Sequence, residues 1–201
     1  MKIVGIAGLP RSGKDTLAEW FIDAGFFGVS LGDIIRNESK KRHKDKQDPI
    51  SVANMTETAN HLRKQHGPDV ALNKALDQYN QSSKNNTYKG LVIYSVRTPI
   101  EADFILDYGG RLIWVEASNE IRYERAIEFS RDGEMKGIDM ETFLAHEELQ
   151  WQPKPGIPKD AQMDVSYVKN HATDIVENNQ NNLRQFKANA QDIISDSVSD
   201  N

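Results

Sequence analysis

Apolar residues fall in two rhythms along this chain, and the alternation between them sets the expected architecture. "KIVGIA" is a short continuous apolar run rich in β-branched residues and closed by Gly8, the pattern of a strand buried on both faces. "KDTLAEWFIDAG" then places Leu17, Ala18, Phe21 and Ile22 at helical spacing and stops at Gly25. "FFGVS" reads as a second strand. "LGDIIRNESKKRHKDK" starts as a helix, becomes strongly basic, and is broken at Pro49. Residues 51–66 and 68–79 read as two helices separated by "HGPD", with Pro68 at a helix start, and "NQSSKNNTYKG" is polar loop. "GLVIYSV" and "GRLIWVEA" are the third and fourth strands, with "TPIEADFILDYGG" as the helix between them. Residues 119–132 and 139–151 carry helical patterns, and "QPKPGIPKD" is a Pro-rich connection. "TDIVENN" reads as a short fifth strand before a final helix through "LRQFKANAQDII", and "SDSVSDN" as a disordered tail.

Strands alternating with helices predict an α/β fold, a doubly wound parallel five-stranded sheet with helices on both faces. Ligands in such a fold bind beyond the carboxyl ends of the strands. The segment "GLPRSGKDT", Gly8 to Thr16, falls there and nearly matches the phosphate-binding pattern G-x-x-x-x-G-K-[ST]. Glycines at 8 and 13 let the backbone curl so that successive N–H groups point at a phosphate, and the following helix adds its positive end. The expected ATP-binding residues are Gly8, Arg11, Ser12, Gly13, Lys14, Asp15 and Thr16, with Lys14 reaching the β- and γ-phosphates. The plain alternative is a glycine-containing turn with an exposed lysine. Asp15 replaces the usual hydroxyl. It can join Thr16 as a ligand of Mg²⁺, which prefers oxygen and keeps several waters, or it can simply favour the helix dipole.

Composition narrows the picture without changing it. A chain of 201 residues suits one sizeable domain, and two would be crowded. A net charge of −5 argues against a broad nucleic-acid-binding surface. With no cysteine, disulfides and thiolate metal sites are excluded, and a reducing compartment is compatible. "MKIVGIAGLPRSGKD" lacks the apolar length of a signal peptide or membrane span, so the expected location is cytoplasmic, with no membrane partner. The basic run "RNESKKRHKDK" has interleaved acids and no aromatic residues, as a solvated helix face does. The five histidines show no metal-ligand spacing, and "HEELQW" has the wrong order for a zinc site.

Two further stretches carry a resemblance. "VSLGDIIR" resembles the segment of adenylate kinases in which a Gly-Asp pair and an Arg follow the second strand. "VRTPIEADF" resembles their Arg-Thr segment after the third strand. Order and spacing are also similar to the smaller kinases related to dephospho-coenzyme A kinase, including archaeal-type members. "LRKQHGPDVAL", "EASNEIRYERAIEFSRDGE" and "TDIVENN" look like the same group, so that residues 1–186 stay in register. The resemblance implies a three-layer P-loop kinase fold over residues 1–190. Acceptor-binding helices would occupy about 33–80, a lid about 119–151, and a polar disordered tail 191–201.

The implied activity is transfer of the γ-phosphoryl of ATP, with Mg²⁺, to a nucleoside or deoxynucleoside monophosphate. Dephospho-coenzyme A kinase is the alternative, and a nucleotide-binding module with little turnover is another. Partners would be ATP and a small phosphorylated acceptor, no nucleic-acid polymer, and a monomer or homodimer. Position by position, Arg36 and Arg97 would grip the acceptor phosphate, since a guanidinium can bind its oxygens as a fork. Asp33 would orient the acceptor, or deprotonate it if the acceptor is a hydroxyl; otherwise it is an N-cap. Arg36 can instead be an exposed helical residue, and Arg97 a structural ion pair. Arg122, Arg125 and Arg131 stand where such kinases carry lid arginines, with Arg125 and Arg131 favoured for neutralising the transferring phosphoryl group. Surface salt bridges are the alternative for each. One departure stands out: many relatives have Asp-Gly before the equivalent of Val96, and that Asp holds magnesium. Here the residues are Tyr94 and Ser95. Either Asp15 or Asp33 compensates, or metal-dependent catalysis is weak.

Overall fold

A computed structural model describes residues 1–129, 139–151 and 162–199. Five strands form one parallel sheet: β1 (Lys2–Ala7), β2 (Phe26–Ser30), β3 (Gly90–Val96), β4 (Arg111–Glu116) and β5 (Asp174–Glu177). Their order across the sheet is β2-β3-β1-β4-β5. The connecting helices are α1 (Lys14–Asp23), α2 (Leu31–Arg42), α3 (Val52–His66), α4 (Val70–Ser82) and α5 (Pro99–Asp107). They continue with α6 (Asn119–Glu128), α7 (Met140–Trp151), α8 (Val165–Asn170) and α9 (Leu183–Val198).

The strands sort their side chains by parity, which is why they read as continuous apolar runs. On one face Ile3, Leu91, Ile93, Leu112 and Trp114 pack with residues of α2, α4, α5 and α8. On the other, Val4, Ile6, Val92, Ile113 and Val115 pack with Leu17 and Phe21 of α1 and Phe186, Ala190 and Ile194 of α9. Both faces are covered by helices, as the doubly wound reading requires. Chain order reverses around central β1, so the loop leaving its carboxyl end opens at the switch point of the sheet.

The structure differs from the sequence reading at four places. The chain past residue 190 is not a loose tail: α9 runs to Val198, with Ile194 at 9% exposure. The Lys2 ammonium donates to the Ser199 carbonyl at 2.5 Å and so closes that helix against β1. The short α8 has no counterpart in the sequence reading, although Asp164 caps it by accepting from the Tyr167 amide and Val165 and Val168 are buried. Helix α6 ends at Glu128, earlier than residue 132. Ile22 is 40% exposed rather than part of the packed stripe of α1.

Candidate functional site

A cavity of about 880 Å³ opens at the carboxyl ends of the strands, a size usual for small-molecule sites. The β1–α1 loop forms its floor. Gly13 has φ 104°, and a Cβ there would collide with the Asn178 amide. A Cβ on Gly8 would lie 2.5 Å from the Ser12 hydroxyl and 2.8 Å from the Val115 carbonyl. Both positions therefore exclude a side chain. Arg11 takes φ 64°, rare for a residue with a Cβ, so the loop is held in a tight curl. The buried Ser12 hydroxyl has no hydrogen-bond partner among the described residues. Lys14 is 9% exposed yet lines the cavity together with Arg11, Asp15 and Thr16. Its ammonium is 3.8 Å from the Asp15 carboxylate.

Helix α6 holds this loop from behind. The Arg125 guanidinium donates to the carbonyls of Arg11 (3.2 Å), Ser12 (3.4 Å), Asn178 (3.1 Å) and Gln180 (3.0 Å), and to the Asn181 side chain (3.0 Å). The Asn178 amide donates to the Ser12 carbonyl at 2.7 Å. One turn earlier, Arg122 is 1% exposed and ion-paired with buried Glu147 of α7. It also donates to the carbonyls of Ala117 and Pro10. Burial pushes the Glu147 carboxyl up, and Arg122 and Lys14 oppose that rise.

The opposite wall comes from α2, α3 and the β3–α5 turn. Ser30, not Asp33, caps α2: its hydroxyl accepts from the Asp33 amide at 3.1 Å, so the N-cap alternative for Asp33 is wrong. The Asp33 carboxylate pairs with Arg36 at 2.7 Å, and only Arg36 of the two reaches the cavity. Arg36 is thus not a freely exposed residue of the basic run. Arg97 also lines the cavity, and its turn is pinned by a capping box in which buried Glu101 accepts from the Arg97 and Thr98 amides at 2.7 and 3.1 Å. Arg63, from α3, is the third guanidinium on this wall. Burial lowers the Arg97 guanidinium below its ordinary range; Glu101 opposes this, and Arg36 and Arg63 add to it. Burial likewise lowers Arg63, with Glu101 opposing.

At the end of β3 the register with β1 slips by one residue, and the bulged Ser95 takes φ 64° while lining the cavity. Tyr94 packs against the core under α1 and α9 instead. Position 94 thus offers the cavity no carboxylate.

The structure therefore brings Arg11, Gly13, Lys14, Asp15, Thr16, Arg36, Arg97 and Arg125 to one cavity. Gly8 and Ser12 shape the loop, and Asp33 stands beside the cavity, paired with Arg36. Arg131 lies outside the described residues. Arg125 donates to loop carbonyls while lining the cavity, so it clamps the loop from a place beside the expected phosphates. Arg122 is a buried structural pin. Sequence reasoning missed Arg63 and Glu101. The helical stripe ending at Arg63 and the Thr-x-x-Glu spacing of 98 and 101 were the available signals.

No family model matches the chain. A UPF0200 protein of Methanosarcina barkeri is 28% identical over 194 residues, covering 92% of this chain and 98% of its own length. A UPF0200 protein of Methanococcus maripaludis is 28% identical over 149 residues, 74% of this chain and 77% of its own. Among solved structures, TT1252 from Thermus thermophilus aligns over 99% of this chain and 98% of its own, with TM-score 0.60 and 20% identity. Shikimate kinase from Acinetobacter baumannii, in complex with shikimate, aligns over 99% and 96% with TM-score 0.51 and 12% identity. These likenesses concern the fold: the chain shares with these structures a five-stranded parallel sheet flanked by helices.

Proposed function

We propose that the protein is an ATP-dependent phosphotransferase that passes the γ-phosphoryl group to a nucleoside or deoxynucleoside monophosphate. The observation that carries this reading is the continuity of one cavity, with the phosphate loop on one wall and Arg36 and Arg97 on the other. ATP phosphates would lie along the loop amides and the N-terminus of α1, with Lys14 on the β- and γ-oxygens. Arg36 and Arg97 would hold the acceptor phosphate so that one of its oxygens attacks the γ-phosphorus. That bond forms as the bond to the β-phosphate bridging oxygen breaks, and ADP leaves. A phosphate acceptor is already ionised, so no strong base is needed.

Asp15 and Thr16 present oxygen donors beside Lys14, a donor set that fits Mg²⁺ held mainly by phosphates and water. Among the described residues no cluster of three His, Asp or Glu side chains could hold a metal without such help. When bound, Mg²⁺ would neutralise phosphate charge. Lys14 remains the fixed cation that aligns the chain of phosphates.

Dephospho-coenzyme A is the alternative acceptor, and Asp33, paired with Arg36, would be the base it requires. Tyr94, packed away from the cavity, favours one second reading: a nucleotide-binding module with little turnover. A cytoplasmic location is part of the proposal. Among the described residues no helix is long and apolar enough to cross a membrane. A coupled ADP-release assay with Mg²⁺–ATP, a panel of (deoxy)nucleoside monophosphates and dephospho-coenzyme A tests it. Turnover with a monophosphate supports the proposal. Turnover confined to dephospho-coenzyme A, or ATP binding without any turnover, would replace it with the corresponding alternative.

A further inference from the structure

Helix α3 presents one stripe to the cavity: Val52, Met55, Thr56, Ala59, Asn60 and Arg63. These follow the i, i+3, i+4, i+7, i+8, i+11 spacing of a single helix face. The next face, with Asn54, Thr58 and Leu62, is buried. The stripe is graded along its length. Val52 is 45% exposed, whereas Arg63 lies close enough to Glu101 and Arg97 for their charges to act on one another. Between them Met55 and Ala59 are apolar, and the Thr56 hydroxyl is turned back to the Val52 carbonyl at 2.7 Å, which leaves Asn60 as the polar group of this stretch. From Val52 to Arg63 the stripe covers roughly 16 Å at 1.5 Å per residue.

We propose that Arg63 is a third acceptor-binding residue, so that α3 selects an acceptor with a doubly charged phosphate head and a largely apolar or planar body. This rests on the phosphotransferase reading of the same cavity. Three guanidiniums arriving from α2, α3 and the β3–α5 turn repel one another, and a phosphate dianion placed among them relieves that repulsion while accepting forked hydrogen bonds. Glu101 fixes the Arg97 backbone, and its charge favours the charged forms of both Arg63 and Arg97. Asn60, one turn back on the stripe, supplies an amide to the polar edge of the body.

The test fills the donor wall with the Mg²⁺ complex of a non-hydrolysable ATP analogue and then titrates inorganic phosphate by calorimetry. Wild type is compared with Arg63→Met, Arg63→Lys, Arg36→Met and Arg97→Met. Arg63→Lys keeps the charge beside Glu101 and guards against a variant that merely misfolds. The expected result is phosphate binding weakened about tenfold or more in both Arg63 variants, with analogue affinity unchanged. Wild-type phosphate affinity in both Arg63 variants, with loss in the Arg36 and Arg97 variants, would overturn the role of Arg63 alone. Equal loss of analogue and phosphate in both would overturn it too, by showing that Arg63 serves the fold. No phosphate binding by wild type, or none of the variants affected, would contradict the acceptor wall altogether.

Discussion

The two walls of the cavity are built in opposite ways. On the phosphate-loop wall, side chains hold backbone: Arg125, Arg122 and Asn178 spend their donors on loop carbonyls. On the facing wall, backbone and a buried acid hold side chains: the Thr98–Glu101 capping box fixes the turn that carries Arg97, and Asp33 braces Arg36. The difference follows from what each wall would bind. A loop that presents N–H groups to phosphates must keep its carbonyls turned away, and arginines behind it do that. A wall that grips with guanidiniums must limit the freedom of long side chains, and braces do that at lower entropic cost.

Breaking the support behind the loop should have the largest effect, and on stability. Arg122→Ala leaves Glu147 buried without its partner and should cost on the order of 3–5 kcal/mol in thermal or denaturant unfolding. An Arg122→Ala, Glu147→Leu double variant should recover much of that. A single variant as stable as wild type would show that Arg122 is no pin.

On the facing wall the effect should be on function. Arg36→Ala and Arg97→Ala should each cost about 1.5–3 kcal/mol in acceptor kcat/KM while ATP affinity stays put. Initial-rate kinetics with each substrate varied would show the split. Normal acceptor KM and kcat in both variants would erase the contrast between the walls.

Arg125→Lys should be milder and should fall on the opposite substrate. A lysine keeps the charge but cannot bridge all of these acceptors. ATP binding should therefore weaken by about 0.5–1.5 kcal/mol for each hydrogen bond to the loop that the lysine fails to make, with acceptor binding spared. Calorimetry with ATP and with the acceptor separates the two outcomes.

The smallest effect sharpens the metal assignment. Asp15→Asn should shift Mg²⁺-dependent nucleotide binding, while Asp15→Ser, which restores the ordinary loop hydroxyl, keeps substantial activity. Overlapping magnesium titrations of wild type and both variants would leave Asp15 as a helix-dipole residue only.

Much of the architecture was legible because burial on both faces writes each strand as an unbroken apolar run, as in "KIVGIA" and "GLVIYSV". The phosphate loop was legible because Gly8, Gly13 and Lys14 carry a recognisable spacing, although the groups that crowd the two glycines, Asn178 and Val115, come from distant chain. Legibility failed where the cause lies in distant chain. The closing "SDSVSDN" read as tail, yet α9 runs on into it as far as Val198, which packs against the core. Sequence could not show that the Arg125 guanidinium donates to the carbonyls of residues 11 and 12. Arg63 was hidden in "LRKQHG", an ordinary basic helix end until α3 is seen lying along the cavity. Asp33 was placed in the acceptor site by resemblance, and sequence could not show that it pairs with Arg36.

The central claim is that the loop between β1 and α1 binds the phosphates of ATP. Calorimetric titration of Mg²⁺–ATP into wild type and Lys14→Ala, each with its melting curve, tests it most directly. The predicted result is a sharp loss of ATP affinity in a variant that melts close to wild type, because Lys14 faces the cavity rather than the core. Unchanged ATP affinity in a well-folded Lys14→Ala protein would contradict it.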